Sequence, residues 1–395
     1  MITCLSLLFI VLYLILDKTP QKILAIPSSI FIFLYALSFD LFHWEEMNLV
    51  VFQFKHIHLG FKSYLLFFLT SLSFAIGISL SNFKDKQNYI KTKYNYKKMK
   101  AAYYCMSFIS IIAFIINLCR VLTNGGLGLL FMNPRGYEEI FGASTSINYL
   151  YFLNIPALCL SLYLKHNNIK LKKSGIINFV LVVMSFFHGI KFTIFDTILY
   201  PVCFYYLIKQ KVSIKPLIIT FSVLLSIFII FSIFVRGGDE KSPFMSVALY
   251  ILPNFYNLSY NVENHSNIFG MSGIMELIIP DKLPKPPLGW MQWGEKEAGF
   301  ILNDAYNMFT ILDTLFYAFN FIAPLFFILI FILFKYIYNR KDCTIIHLFV
   351  STYFLFCLFF SFYFYAFTKT KNVYYIIVFL LIHLFCKIKK NSKAI

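Results

Sequence analysis

Residues 101–122 read AAYYCMSFISIIAFIINLCRVL, an apolar stretch that carries no charge until Arg120. The hydrocarbon core of a bilayer takes about 20 such residues per helix, within a range of roughly 17–25. The apolar residues run continuously instead of alternating, so the stretch reads as a membrane-crossing helix and not as a barrel strand. Outward from it, similar runs recur at 2–16, 23–42, 64–81, 149–164, 175–190, 192–208, 217–235, 309–334, 344–367 and 373–386, eleven in all. The sequence therefore predicts an all-α fold, a polytopic membrane bundle of about eleven transmembrane helices. It divides into helices 1–8 within 1–235, one large external loop with short helices at 236–308, and helices 9–11 with a tail in 309–395.

Composition agrees. The chain is 59% hydrophobic and 13% charged, against about 45–50% and 25% in soluble domains. A soluble enzyme, a disordered scaffold and a disulfide-stapled secreted module are all excluded. The formal net charge of +17 is no sign of a nucleic-acid partner. Most Lys residues gather in short loops at 82–100, 165–174, 209–216 and 335–343 and in the tail 387–395, and with 17–22 these all fall on one face. That is the positive-inside pattern, with the C-terminus cytoplasmic and the N-terminus periplasmic. No Lys or Arg precedes 2–16 and no small-residue cleavage site follows it, so it reads as a span and not as a signal peptide. The eight cysteines lie in spans or at the cytoplasmic edge and imply no disulfide framework.

The basic loops hold no glycine-rich phosphate loop and no room for a nucleotide domain. Chemistry is therefore expected outside, in 43–63, 123–148, the turn at Lys191 and above all 236–308. Arg120, Arg135, Lys191 and Arg236 all fall at the outer membrane–water boundary. A guanidinium offers a planar fork of donors for a phosphate, and lysine a compact charge. The alternative is that these side chains only snorkel to the headgroups. Glu263 and His265, in NVENHSNIFG, are the candidate general bases. Trp290 and Trp293, three apart behind a proline cluster, suit stacking on sugar faces or an aromatic belt. His56 and His58 near His43, Glu45 and Glu46 read as a polar interfacial loop, so no metal site is expected. His188 lies one turn from Lys191 and is a lesser candidate for the cation cluster; His347 and His383 read as ordinary rim residues. Asp196 and Asp313 read as structurally paired intramembrane carboxylates.

Four segments carry a resemblance: NGG at 124–126 with NPRGYEE at 133–139, HGIKF at 188–192, VRGG at 235–238, and NDAYNMFTILDTLFYAFNFIAPLFFIL at 303–329. With this architecture the chain resembles the Wzy-type O-antigen or oligosaccharide repeat-unit polymerases of the bacterial inner membrane, a GT-C-like bundle. It departs from the family where YAFNFIAP stands in place of an Asp-Phe-Gly-like element.

The resemblance implies an inverting, metal-independent glycosyltransferase without a cofactor. It would move a glycan from undecaprenyl pyrophosphate to the non-reducing end of a lipid-linked repeat unit. Its partners would be undecaprenyl-pyrophosphate-linked oligosaccharides, membrane lipid and a polysaccharide chain-length regulator. Arg236, Arg135 and Lys191 would then hold pyrophosphate with Arg120 in support, and His265 or Glu263 would be the base. An O-antigen ligase uses the same donor and stays open as an alternative, as does a lipid-linked oligosaccharide flippase. The predicted topology has a direct check. A single cysteine introduced in 236–308 will be labelled by an impermeant thiol reagent in intact spheroplasts, and one in 82–100 will be protected; the reverse pattern inverts the orientation.

Overall fold

The computed structural model describes residues 19–42, 60–81, 93–188, 191–209, 254–259, 261–263, 310–340, 343–362 and 369–388, with isolated positions at 3, 219, 222, 225, 226 and 367. Helices dominate: α1 (Thr19–Phe42), α2 (Phe61–Leu80), α3 (Tyr96–Thr123) and α4 (Pro134–Phe141). Next come α5 (Thr145–Tyr151), α6 (Asn154–His166), α7 (Ser174–Phe186) and α8 (Lys191–Lys209). The last four are α9 (Ile311–Phe319), α10 (Leu325–Tyr338), α11 (Ile345–Phe359) and α12 (Thr370–Cys386). Among the described residues, β-pairing is confined to one isolated bridge, Tyr94 with Lys387. Five helical segments there are long and apolar enough to cross a membrane: Ile23–Asp40, Phe61–Leu80, Tyr96–Thr123, Thr145–His166 and Asn320–Tyr338. The chain is a helical membrane protein. The expected spans 2–16 and 217–235 lie outside the described residues but for single positions.

The chain divides into two compact units, one of Met1–Asp85, Phe244–Asn339 and Phe354–Val373, the other of Lys86–Pro243, Arg340–Tyr353 and Tyr374–Ile395. In the first, α1, α2 and α10 pack through aromatic rings. Phe31 meets Phe74 at 5.7 Å and Phe327 at 6.0 Å, and Phe74 meets Phe327 at 4.4 Å between ring centroids. Gly77 of α2 lies so close to the Phe331 ring of α10 that any Cβ would collide with it. Lys335 of α10 donates to the Leu80 carbonyl at 2.6 Å and so satisfies an orphan acceptor at the end of α2. The stretch 254–259, within the loop expected to carry short helices, is a buried helical turn in this unit. Its Phe255 stacks on Tyr35 of α1 at 5.0 Å.

One expected span is broken. Composition reads 309–334 as continuous, whereas α9 ends at Asn320 (φ 53°, ψ −140°), followed by a 3₁₀ turn Asn320–Ile322. The cause is Pro324. It has no N–H to give residue 320, and its ring clashes with the carbonyl there. Asparagine tolerates the left-handed φ this requires, and its Oδ1 accepts from Phe321 N–H at 2.8 Å.

In the second unit α3 is inverted relative to a soluble helix. Phe108 (65% exposed), Ile112 and Ile115 face outward, while Ser107, Ser110 and Asn117 are buried. In lipid this is the favoured arrangement, since polar side chains find partners on neighbouring helices or on their own backbone, as Ser107 does at the Tyr103 carbonyl (2.8 Å). Ser110 donates to the Tyr151 carbonyl at 2.7 Å. Tyr103 of α3 donates to Asn178 of α7 at 2.9 Å, and Asn178 in turn to Ser161 of α6 at 2.8 Å. The helix starts where Asn95 accepts from the Lys97 and Lys98 amides at 3.0 and 3.2 Å. It stops at Asn124-Gly125-Gly126, both glycines at positive φ (129° and 79°).

The Gly77 contact generates a stability test. Gly77→Leu overpacks the α2–α10 seam and costs about 1–3 kcal/mol. It will lower the thermal unfolding midpoint in detergent, whereas Ile76→Leu, at an exposed position, will leave it within error.

Candidate functional site

The segment after α3, expected as the external loop 123–148, is a set of short helices laid against the bundle. Asn133 caps α4 by accepting from Gly136 N–H at 3.0 Å, with Pro134 at the first helical position. Arg135 therefore stands in the first turn of α4. Two residues on, Tyr137 is fully buried, stacks on Phe141 (6.0 Å, 18°) and donates its hydroxyl to the Phe187 carbonyl at 2.5 Å. Burial pushes the Tyr137 phenol up to about 12, so it remains a donor through the physiological range.

Phe187 and His188 form the turn that leads toward Lys191, the first residue of α8. The His188 ring is buried among Phe141, Tyr151 and Phe152, with centroids 5.0, 5.1 and 5.7 Å away. Thr193 Oγ1 stands 3.5 Å from His188 Nδ1. The helix carrying Arg135 is thus fastened to the turn preceding Lys191 by one hydrogen bond and a ring cluster. Deeper along α8, Asp196 is 1% exposed. The hydroxyls of Tyr151 and Tyr375 are buried without a hydrogen-bond partner among the described residues. His188 was the lesser candidate in the sequence and Asp196 a structural one. Their common feature, burial inside an apolar run, was the available signal.

Arg120 is half-buried and donates to Asn117 Oδ1 at 3.5 Å. Asn117 donates to Asn148 Oδ1 at 2.9 Å, and Asn148 to the Gly142 carbonyl at 3.0 Å. The tie between α3 and the short helices is the Asn117–Asn148 bond, and the guanidinium sits beside it on α3 itself. The Arg135 and Lys191 side chains, and Arg236, His265, Trp290 and Trp293, lie outside the described residues.

In the first unit, Glu263 has a defined role in the fold. Its Oε1 accepts from the Ser63 amide at 2.8 Å and the Ser63 hydroxyl at 2.7 Å, and its Oε2 sits against Gly60 with no room for a Cβ. Gly60 has no side chain to cap α2, and Glu263 supplies that cap from a distant segment. A carboxylate there also meets the positive end of the helix dipole. Asp313 is the third residue of a capping box, accepting from the Thr310 amide and hydroxyl at 3.1 Å each and from Asn261 at 3.4 Å. Its reading as a structurally paired carboxylate agrees with this geometry. Among the described residues no three His, Cys, Asp or Glu side chains gather in a metal-binding group.

Compared with known proteins, the chain matches no family model, and neither a curated protein nor a solved structure is significantly similar to it.

The α4 anchor can be tested by removing one oxygen. Tyr137→Phe will speed amide hydrogen exchange across 134–141, in line with a hydrogen bond of about 0.5–1.5 kcal/mol. Tyr104→Phe, which removes a comparable bond to the Lys172 carbonyl (3.0 Å), will leave that segment unchanged.

Proposed function

We propose that the chain is a surface-polysaccharide polymerase, with eleven spans in the inner membrane. It transfers a glycan from undecaprenyl pyrophosphate to the non-reducing end of a lipid-linked repeat unit at the periplasmic face. The observation that carries this reading is the fastening of α4 to the turn before α8 through Tyr137, Phe187 and the His188 ring cluster. It sets the backbone positions of two of the expected cations, Arg135 and Lys191, on elements braced against each other. A braced pair of cationic positions suits a diphosphate, because charge arranged in advance at a developing anion is usually the largest catalytic contribution.

In the reaction an acceptor hydroxyl attacks the anomeric carbon, the bond to the pyrophosphate oxygen breaks, and the electron pair leaves with the pyrophosphate. Attack opposite the leaving group inverts the anomeric centre. Arg135, Lys191 and Arg236 receive the negative charge, and Arg120 supports them from the end of α3, beside the Asn117 that bonds Asn148. The hydroxyl proton goes to a base, for which the sequence offers His265 and Glu263. With Glu263 Oε1 committed to Ser63, the assignment leans on His265.

The test is chain extension in cells. Arg135→Ala and Arg236→Ala will each abolish the polysaccharide ladder and leave one repeat unit on the acceptor, with protein level unchanged. A ladder of normal length in both variants removes the pyrophosphate role, and acceptor bare of any repeat unit points to a ligase.

A further inference from the structure

The second unit carries a basic rim that the glycosyl-transfer reading does not use. The residues before α3 run antiparallel to the end of α12: Asn95 N–H donates to the Cys386 carbonyl at 2.8 Å, and Ile388 N–H to the Lys93 carbonyl at 3.1 Å. Tyr94 reinforces the pairing. Its hydroxyl lies 2.8 Å from His383 Nδ1 and accepts from Ile345 N–H at 3.0 Å. This arrangement brings Lys93, Lys97 and Lys98 together with Lys387, from opposite ends of the unit's sequence, and all four are exposed. None forms an ion pair with a carboxylate among the described residues. Like charges brought together repel, so the rim favours a counter-anion.

The surroundings specify what kind. Lys98 Nζ stands 4.6 Å over the Phe385 ring and 3.4 Å from the Phe385 carbonyl. Phe385 is 60% exposed and Leu384 64%, at the end of an apolar helix. The anion site therefore borders surface suited to acyl chains. A free phosphate has no use for that surface, whereas a lipid with a negative headgroup fills both parts at once.

We propose that Lys93, Lys97, Lys98 and Lys387, with Phe385 and Leu384, form a binding site for an anionic phospholipid. The site is independent of the glycosyl transfer proposed above. Its specificity comes from ammonium groups that contact the phosphate diester and from exposed rings and branches that contact the chain.

Phe385→Trp places a reporter in the site, read as the difference in emission from the parent protein. The protein is reconstituted in phosphatidylcholine vesicles doped with brominated phosphatidylglycerol or, at equal mole fraction, brominated phosphatidylcholine. The expected result is quenching with about a fivefold apparent preference for phosphatidylglycerol. That preference will fall to parity when Lys93, Lys97, Lys98 and Lys387 are all changed to Gln, will persist when they are changed to Arg, and will persist when Lys165, Lys170 and Lys172 are changed to Gln instead. Equal quenching of the Phe385→Trp signal by the two lipids with the four lysines intact, or an unaltered preference after the four Gln changes, overturns the proposal. Abolition of the preference by millimolar inorganic phosphate also overturns it, in favour of a free-phosphate site.

Discussion

A bilayer offers no hydrogen bonds, and this constraint accounts for more of the structure than any single contact. Every backbone amide and carbonyl must find its partner within the protein, which leaves helices as the economical solution. The same constraint sorts the side chains. On α3 the serines and Asn117 turn inward and the phenylalanine and isoleucines outward. Tyr103, Asn178 and Ser161 form a chain across three helices because none of them has a partner in lipid.

Helix ends are where that constraint is hardest to meet, and the chain meets it with groups from far away. Glu263 caps α2 from 200 residues along the sequence, and Lys335 closes the other end of the same helix. At the α4 segment the Asn117 and Asn148 relay does comparable work for the short helices. One residue that sequence chemistry marks as a candidate base, Glu263, thus serves the fold as a brace.

The spans were legible because continuous apolar runs of the right length have few alternative readings, and α1, α2, α3 and α6 fall within a few residues of expectation. The break at Asn320 was hidden for the converse reason. A hydropathy window averages over Pro324, although the proline itself states that the ladder cannot continue. The burial of Phe255 against Tyr35 and the setting of His188 among three rings depend on which helices become neighbours. Periodicity along one segment holds no information about that. The glycines of NGG show the local rule at work, since their positive φ values are what ends α3.

The interrupted span has a mechanical meaning. With 14 residues, α10 reaches about 21 Å at 1.5 Å per residue, short of a hydrocarbon slab of about 30 Å. The 3₁₀ turn makes up the difference, so the segment that crosses is Asn320–Tyr338, 19 residues. Since the hydrogen-bond ladder is severed at the joint, torsion cannot pass through it: adding one residue upstream would rotate the face of α9 by about 100° and leave α10 in register with α2. The two rods form a coupling that carries length but not twist.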